Sequence, residues 1–359
     1  MAKGKKKAPA PPASDAPGWD AIDAACNALY PDQLEPLHYP ITQHPPMGTG
    51  LVYGISAYRA KGPPAHWHYV TYGFSDLYEK TDPESKLSGW GFELTLRVAR
   101  GRERTPPSWA LGFLNNLSIY VRRSGNWFGS GHTVDLNGPI CLGADTLIRA
   151  IAFAPDPQLG TIDTPNGRVE FLQVVGLALD EHEACGDWRT ASVLDLLRET
   201  DPLLVTDLSR ASLLSNPSAA KRIQEGIDRD GSQSDRAFVA KVEWEATGRG
   251  AGRVLNVTLG ARAVESLLPK LRSRLAHGRD FVLVGKEQAL RFRAAKEWKW
   301  AVRDGTPTLD LSPAALAALR ERLPVKRGRY EFPELPSVVF TVVPSEITDP
   351  EGRVVEVVG

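Results

Sequence analysis

Two histidines, His66 and His68, stand one residue apart in the stretch HWHYVTYGFSDLYE, residues 66–79. Alternate side chains of a β-strand point to the same face, so a strand here would place the two imidazoles side by side. Such a pair can begin a zinc site, but zinc takes three or four protein ligands. Further ligands would have to come from carboxylates or from distant histidines, namely His38, His44, His132 and His182.

The surroundings of this pair favour a structural role. Trp67, Tyr69 and Tyr72 are typical of a packed strand, and the chain contains no His-Glu-x-x-His motif, with its general-base glutamate, that would complete a zinc enzyme. We therefore expect two hydrogen-bonded structural histidines, no metal and no cofactor. A metal-dependent enzyme that uses His66 and His68 is the alternative interpretation.

Three other stretches carry residues that could do chemistry. SGNWFGSGHTVDL, residues 124–136, is Gly-rich but lacks the lysine of a phosphate-binding loop, so it predicts a loop beside a strand. EHEACGDW, residues 181–188, predicts a solvated loop. WKWAVRDG and LRFRA alternate aromatic and basic residues, which predicts an edge strand whose Lys and Arg side chains face water. None of these patterns indicates catalysis.

The composition of the chain limits which classes of partner it is expected to bind. The chain has 43 basic and 43 acidic residues and a formal net charge of zero, which disfavours nucleic acid or an anionic membrane as a partner. Three widely separated cysteines predict no disulfide framework, which is typical of the cytoplasm. Residues 1–17 predict a disordered basic and Pro-rich tail, without the apolar run of a secretion signal.

The mixture of helix and strand patterns predicts an α+β fold with two mixed-sheet domains, because strands and helices do not alternate strictly. The Gly-rich stretch ATGRGAG predicts a linker at residues 247–252. The first domain is then expected over 18–246 and the second over 253–345, followed by a C-terminal extension over 346–359. PLLVTDL, residues 202–208, and AFVAKVEWEA, residues 237–246, each predict a single strand.

Several uncommon motifs, in one order along the chain, resemble those of the Suppressor of fused family. The resemblance extends over nearly the whole folded length of the chain. It is carried by LYPDQLEPLHY, PPAHWHYVTYGFSDLYE, GWGFELTLRV, PPSWALGFLNNLSIYV, DPQLGTIDTPNGRVEFLQVVGL, LLVTDLSR, LLPKLRSRLAHGRDFVLVG and FPELPSVVF.

This resemblance implies two α/β-type domains without catalysis, with a partner segment bound as an added strand in the cleft between them. In animal members that partner is a zinc-finger transcription factor of the Hedgehog pathway. Tyr120 and Phe128 stand where the family places aromatic residues near the cleft, so the resemblance implies that both contact the partner.

His132 departs from the family, because animal members carry at this position an Asp that faces a histidine of the bound segment. A neutral or cationic imidazole cannot offer that histidine the same acceptor charge, so the animal ligand is not carried over. The short linker and His132 look like the bacterial two-domain members. Many bacterial relatives are immunity proteins that neutralise a toxin from the same locus, so the implied partner is another protein, with a cognate toxin as one form of it.

Overall fold

The structure is a computed structural model, and it describes residues 15–41, 50–348 and 354–359. Most of the predicted tail, residues 1–14, lies outside the described residues, and His44 does too. Over the described ranges the chain forms seven α-helices and nineteen β-strands. None of the helices in these ranges combines the length and the apolar composition that crossing a membrane requires.

The helices are α1 (Pro17–Leu29), α2 (Ser108–Ser124), α3 (Leu179–Asp187), α4 (Thr190–Arg198), α5 (Pro217–Asp230), α6 (Ala261–Ser273) and α7 (Pro313–Arg322). The first ten strands are β1 (Leu37–Pro40), β2 (Gly54–Ala60), β3 (His66–Tyr72), β4 (Leu87–Ala99), β5 (Thr133–Asp135), β6 (Ile148–Pro155), β7 (Thr161–Thr164), β8 (Gly167–Ala178), β9 (Arg236–Phe238) and β10 (Val242–Thr247). The other strands are β11 (Val254–Gly260), β12 (Phe281–Val284), β13 (Ala289–Ala294), β14 (Lys299–Arg303), β15 (Thr306–Leu311), β16 (Gly328–Glu331), β17 (Val338–Val343), β18 (Ser345–Thr348) and β19 (Val354–Val358).

The chain divides into two compact units. Unit 1 contains the described residues of 1–182 and 194–215, and unit 2 those of 183–193 and 216–359. The sequence instead places its boundary at a linker over 247–252. In the structure these residues connect β10 to β11, which pair as neighbouring antiparallel strands of unit 2. Pairing across such a short connection places both strands in one unit, so the boundary between the compact units lies elsewhere.

Unit 1 is built on one mixed eight-stranded sheet in the order β1-β2-β3-β4-β8-β6-β5, with β7 paired to β8. β4 and β8 run parallel in its interior, and the other pairs are antiparallel. One face packs on α2 through residues such as Trp67, Leu94 and Leu114. The opposite face packs on α1, where Ile22 and Cys26 are completely buried. Because both faces are covered, all seven residues of β3 are buried.

Unit 2 has three sheets. A four-stranded sheet has the order β10-β11-β17-β16, a five-stranded sheet has the order β14-β15-β13-β12-β9, and β18 pairs with β19. One apolar core joins the two larger sheets to α6 and α7 through residues such as Val257, Leu267, Phe292 and Leu319. These sheets and helices confirm the α+β class.

Helix caps follow the sequence closely. The Asn216 side chain accepts hydrogen bonds from the Ser218 and Ala219 amides at the start of α5, and the Ser312 side chain accepts one from Ala315 at the start of α7. Such caps satisfy amides that have no partner within the helix. Both residues have the short polar side chain that is favoured at the N-cap of a helix.

Two local predictions were wrong where side-chain contacts override a short pattern. Residues 202–208 form no strand beyond an isolated bridge between Thr206 and Val98. Residues 181–187 lie in α3 and not in a loop, because Glu181 is completely buried and accepts hydrogen bonds from the Ala178 and Leu213 amides.

Two strand predictions in unit 2 also need correction. Residues 237–246 contribute to two strands, β9 and β10, that lie in different sheets. β14 is an edge strand as predicted, but β13, which carries LRFRA, lies between β12 and β15. β12 precedes β13 across a short turn, but the neighbour on the other side, β15, lies further along the chain, and a local pattern does not reveal it.

Candidate partner-binding site

His66 and His68 point to the same side of β3, and both rings are held by hydrogen bonds. His66 Nδ1 donates to the Pro64 carbonyl at 2.7 Å, so its Nε2 accepts from Arg97 Nη1 at 3.0 Å. His68 Nε2 donates to the Asp156 carboxylate at 3.1 Å, and its Nδ1 accepts from the Tyr30 hydroxyl at 2.9 Å. All four ring nitrogens therefore have partners.

These rings belong to a network around the ion pair of Arg97 and Asp156. Arg97 Nη2 lies 2.8 Å and 3.0 Å from the two Asp156 oxygens, and the Arg97 side chain has no exposed surface. Thr95 Oγ1 donates to the same carboxylate at 2.9 Å, while Arg97 Nε donates to Gln173 Oε1 at 3.1 Å. Buried charges persist only when they are paired and hydrogen-bonded in this way.

The electrostatics keep both histidines neutral. Burial lowers the pKa of His68 to about 4, and the Arg97 guanidinium acts in the same direction. Burial also lowers the pKa of His66. For Asp156, burial by itself raises the pKa, but the hydrogen bond from His68 and the charge of Arg97 outweigh it and hold the pKa well below its usual range.

This arrangement supports a structural role for the histidine pair. A metal ion would have to replace a hydrogen bond at each ring and would lie close to the positive charge of Arg97. Across the part of the chain that the structure describes, no three His, Cys, Asp or Glu side chains converge in a way that could hold a metal ion.

The three residues expected to contact a partner lie near β5, on the edge of the unit 1 sheet. Tyr120 is 48% exposed, and its ring stacks on Phe128 with the ring centroids 5.6 Å apart. Phe128 is buried and stacks in turn on Phe153 at 4.2 Å. His132 is exposed and lies 5.7 Å from the Trp127 ring, so the structure gives Tyr120 and Phe128 one stack and places His132 beside a different aromatic residue.

Tyr120 and Phe128 border an apolar groove of about 510 Å³ between α2 and β5. The α2 side is formed by Trp109, Phe113 and Tyr120, and the β5 side by Val134 and the following Leu136. Leu142 at the rim is 89% exposed. Exposed apolar surface around a concave site is typical of a place where another molecule binds.

The backbone of β5 offers a second element of recognition. The His132 carbonyl accepts from the Phe153 amide and the Leu136 amide donates to the Arg149 carbonyl, both at 3.0 Å. Since hydrogen-bonded and non-hydrogen-bonded positions alternate in an antiparallel pair, Thr133 and Asp135 direct their backbone N–H and C=O groups away from β6. Among the strands that the structure describes, none pairs with β5 on this side, so these groups are available to an added strand.

The opposite edge of the same sheet is different. In β1 the Ile41 amide donates to the Tyr53 carbonyl, so the neighbouring position, Pro40, faces outward. Proline has no N–H to offer and protects an edge strand from pairing. The β5 edge has no proline at its outward positions.

Sequence reasoning missed several residues of this site. Trp127, which is 61% exposed, and Leu142 were not selected, nor were Val134 and Leu136. The alternation of Val134 and Leu136 was present in the sequence as a weak strand pattern. The exposure of Trp127 and Leu142 depends on packing and had no local signal.

Comparison with known proteins shows which proteins this chain is similar to. Residues 51–211 match the family model described as Suppressor of fused protein. The human and mouse proteins named Suppressor of fused homolog are each 35% identical over 251 residues, which cover 65% of this chain and 51% of each relative. The chain thus spans about half the length of the curated relatives it matches.

Solved structures show the same fold. The crystal structure of Drosophila Suppressor of Fused superimposes with a TM-score of 0.75 at 22% identity, over 91% of this chain and 97% of that one. A chain of the Sufu–Fu complex superimposes with a TM-score of 0.55 at 29% identity, over 59% of this chain and 98% of that one. Residues 51–211 are therefore a Suppressor of fused domain.

Proposed function

We propose that this chain is a non-catalytic binding protein that takes up an extended segment of another protein as an added strand on β5. The observation that carries this proposal is the open β5 edge beside the apolar groove of about 510 Å³. An added strand gains affinity from backbone hydrogen bonds and selectivity from pockets that receive alternate side chains. The Sufu–Fu complex supplies a precedent, because a relative has been solved in a complex.

Each part of the site has a defined task. The outward backbone groups of Thr133 and Asp135 pair with the segment. Val134 and Leu136 lie on the groove side and contact its apolar side chains, while Tyr120 stacked on Phe128 supplies a flat aromatic wall. His132 stands exposed at the start of β5, where a carboxylate of the segment would suit its imidazole better than a histidine would.

The biological use that we propose is immunity, with a cognate toxin as the partner and the cytoplasm as the compartment. This part is supported by the resemblance of the short connection after β10 and of His132 to bacterial members of the family. A protein encoded beside this chain that is toxic alone, harmless when both are produced, and bound through the β5 edge would support it. A neighbour that this chain neither binds nor neutralises would count against it.

The strand-addition part is tested by selecting peptides from a random display library against the purified chain. Selected peptides are then measured against Thr133→Pro, which removes one outward N–H, and against Thr133→Val, which keeps that N–H. Loss of one backbone hydrogen bond predicts about five- to ten-fold weaker binding to Thr133→Pro. Thr133→Val should bind as the native chain does.

Two results would contradict strand addition at β5. One is a set of selected peptides that bind the Thr133→Pro and Thr133→Val variants equally. The other is a selection whose peptides leave the amide exchange of residues 133–135 unchanged. Both variants should unfold at similar denaturant concentrations, which separates a loss of binding from a loss of structure.

A further inference from the structure

A second strand edge, in unit 2, is covered at its centre by a single side chain. β10 is an outer strand of the four-stranded sheet and pairs antiparallel with β11. The Gly260 amide donates to the Lys241 carbonyl at 3.0 Å, which fixes the alternation of the ladder. Val242, Trp244 and Ala246 therefore turn their backbone groups away from β11, toward the outer side of the sheet.

The Gln288 carboxamide occupies the middle of this edge. Its Oε1 accepts from the Trp244 amide at 2.7 Å, and its Nε2 donates to the Trp244 carbonyl at 3.4 Å. A neighbouring strand forms this same pair of bonds with its own peptide groups. Gln288 lies in the turn between β12 and β13, where its carbonyl accepts from the Gly285 amide at 2.8 Å. The side-chain amide of Gln288 thus forms the two hydrogen bonds that one residue of a neighbouring strand would form.

The space beside the cap has room for more than one side chain. A groove of about 570 Å³ lies along β10 and the turn that carries Gln288. Its lining is polar and has more acidic than basic side chains: Glu243, Glu245, Glu287, Lys241 and Lys286. Lys241 is paired with Glu243, so Glu245, Glu287 and Lys286 remain, and the charged lining of the groove is net negative.

The charges favour a cationic segment over a second copy of this chain. If two β10 strands paired antiparallel about Trp244, Glu243 of each would face Glu245 of the other. Like charges directly opposite one another in a sheet are destabilising. A segment with Lys or Arg at alternate positions would instead place a positive charge opposite each glutamate.

We infer that the β10 edge is a docking site for an extended segment with basic residues at alternate positions, and that Gln288 is its displaceable cap. The segment replaces the two hydrogen bonds of Gln288 with backbone bonds and extends the pairing to Ala246, while Gly285 of the turn lies against the Val242 carbonyl. This site is separate from the β5 edge, so the outcome of its test leaves the proposed function untouched.

The test uses two synthetic peptides with blocked ends and the full chain. The probe is Thr-Lys-Val-Lys-Val-Lys-Thr, and its charge-reversed partner is Thr-Glu-Val-Glu-Val-Glu-Thr. We expect the basic peptide to bind and to slow amide exchange at residues 242–246, and the acidic peptide to do neither. Gln288→Ala should bind the basic peptide about five-fold tighter or more, because no cap has to be displaced.

Two further variants locate the binding. The double variant Glu243→Lys/Glu245→Lys should lose the basic peptide, while Glu297→Lys, an exposed charge change elsewhere in unit 2, should keep it. Unchanged affinity in Gln288→Ala would mean that the glutamine only protects the edge, which overturns the inference. Concentration-dependent association of Gln288→Ala with slowed exchange at 242–246 would also overturn it, because the occupant would be a second copy.

Discussion

Replacing Asp156 by alanine should destabilise unit 1 by about 3–5 kcal/mol, because it leaves the buried charge of Arg97 without its counter-ion. The carboxylate accepts hydrogen bonds from Arg97, His68 and Thr95. It also accepts from the amides of Gln158 and Leu159, both at 2.9 Å. Asp156 is 2% exposed and Arg97 0% exposed, so water cannot replace these contacts without local opening.

The size of this loss shows whether the Arg97–Asp156 network stabilises unit 1. A domain has about 5–15 kcal/mol of stability in total, so the variant should unfold at a much lower denaturant concentration. The double variant Asp156→Ala/Arg97→Met should be more stable than Asp156→Ala alone, because it removes the unpaired charge as well. Asp156→Asn, which keeps the shape and an acceptor oxygen, serves as the milder variant.

The control is an exposed pair of the same chemistry. Asp195 lies 2.7 Å from Arg198 in α4, and its side chain is 70% exposed. Asp195→Ala should therefore cost less than about 1 kcal/mol. The assay is urea-dependent hydrogen exchange read by mass spectrometry, with peptides of β3 and β4 reporting on unit 1 and peptides of β12 and β13 as the internal reference. A loss below about 1 kcal/mol in Asp156→Ala, or a double variant no more stable than it, would refute the reasoning.

Three further results are expected. In the folded chain the pKa of His68 is lowered from 6.5 to about 4, so the unfolded chain binds a proton at a higher pH than the folded chain does. The contribution of neutral His68 to the free energy of unfolding is therefore fully present above pH 6.5, and about 3 kcal/mol of it is lost as the pH falls to 4. A His68→Gln variant should show a flatter pH profile in urea denaturation, and an equal slope would contradict this. Elemental analysis of the purified chain should find no stoichiometric zinc or iron, and the double variant His66→Ala/His68→Ala should be less stable than the native chain. If the native chain instead contains a metal ion that the double variant lacks, the result would favour the metal-dependent enzyme. Tyr120→Ala should weaken a β5-selected peptide by about 1–3 kcal/mol in a binding titration, and unchanged affinity would remove Tyr120 from the site.

The sequence determined the local features of this protein. The α+β class and the caps at Asn216 and Ser312 followed from periodicity and from the side chains that satisfy helix ends. The common face of His66 and His68 followed from the alternation of a strand. These properties depend on residues within a few positions of one another, so a single sequence contains them.

Tertiary structure decided everything that depends on distant partners. Asp156 is 88 residues from His68 and 59 from Arg97, and only the tertiary structure brings these side chains into one hydrogen-bonded network. The burial of Glu181, the division of residues 237–246 between two sheets and the open edge of β5 each depend on which segments pack together. Packing is set by the free energy of the whole chain, and a local pattern carries little of that information.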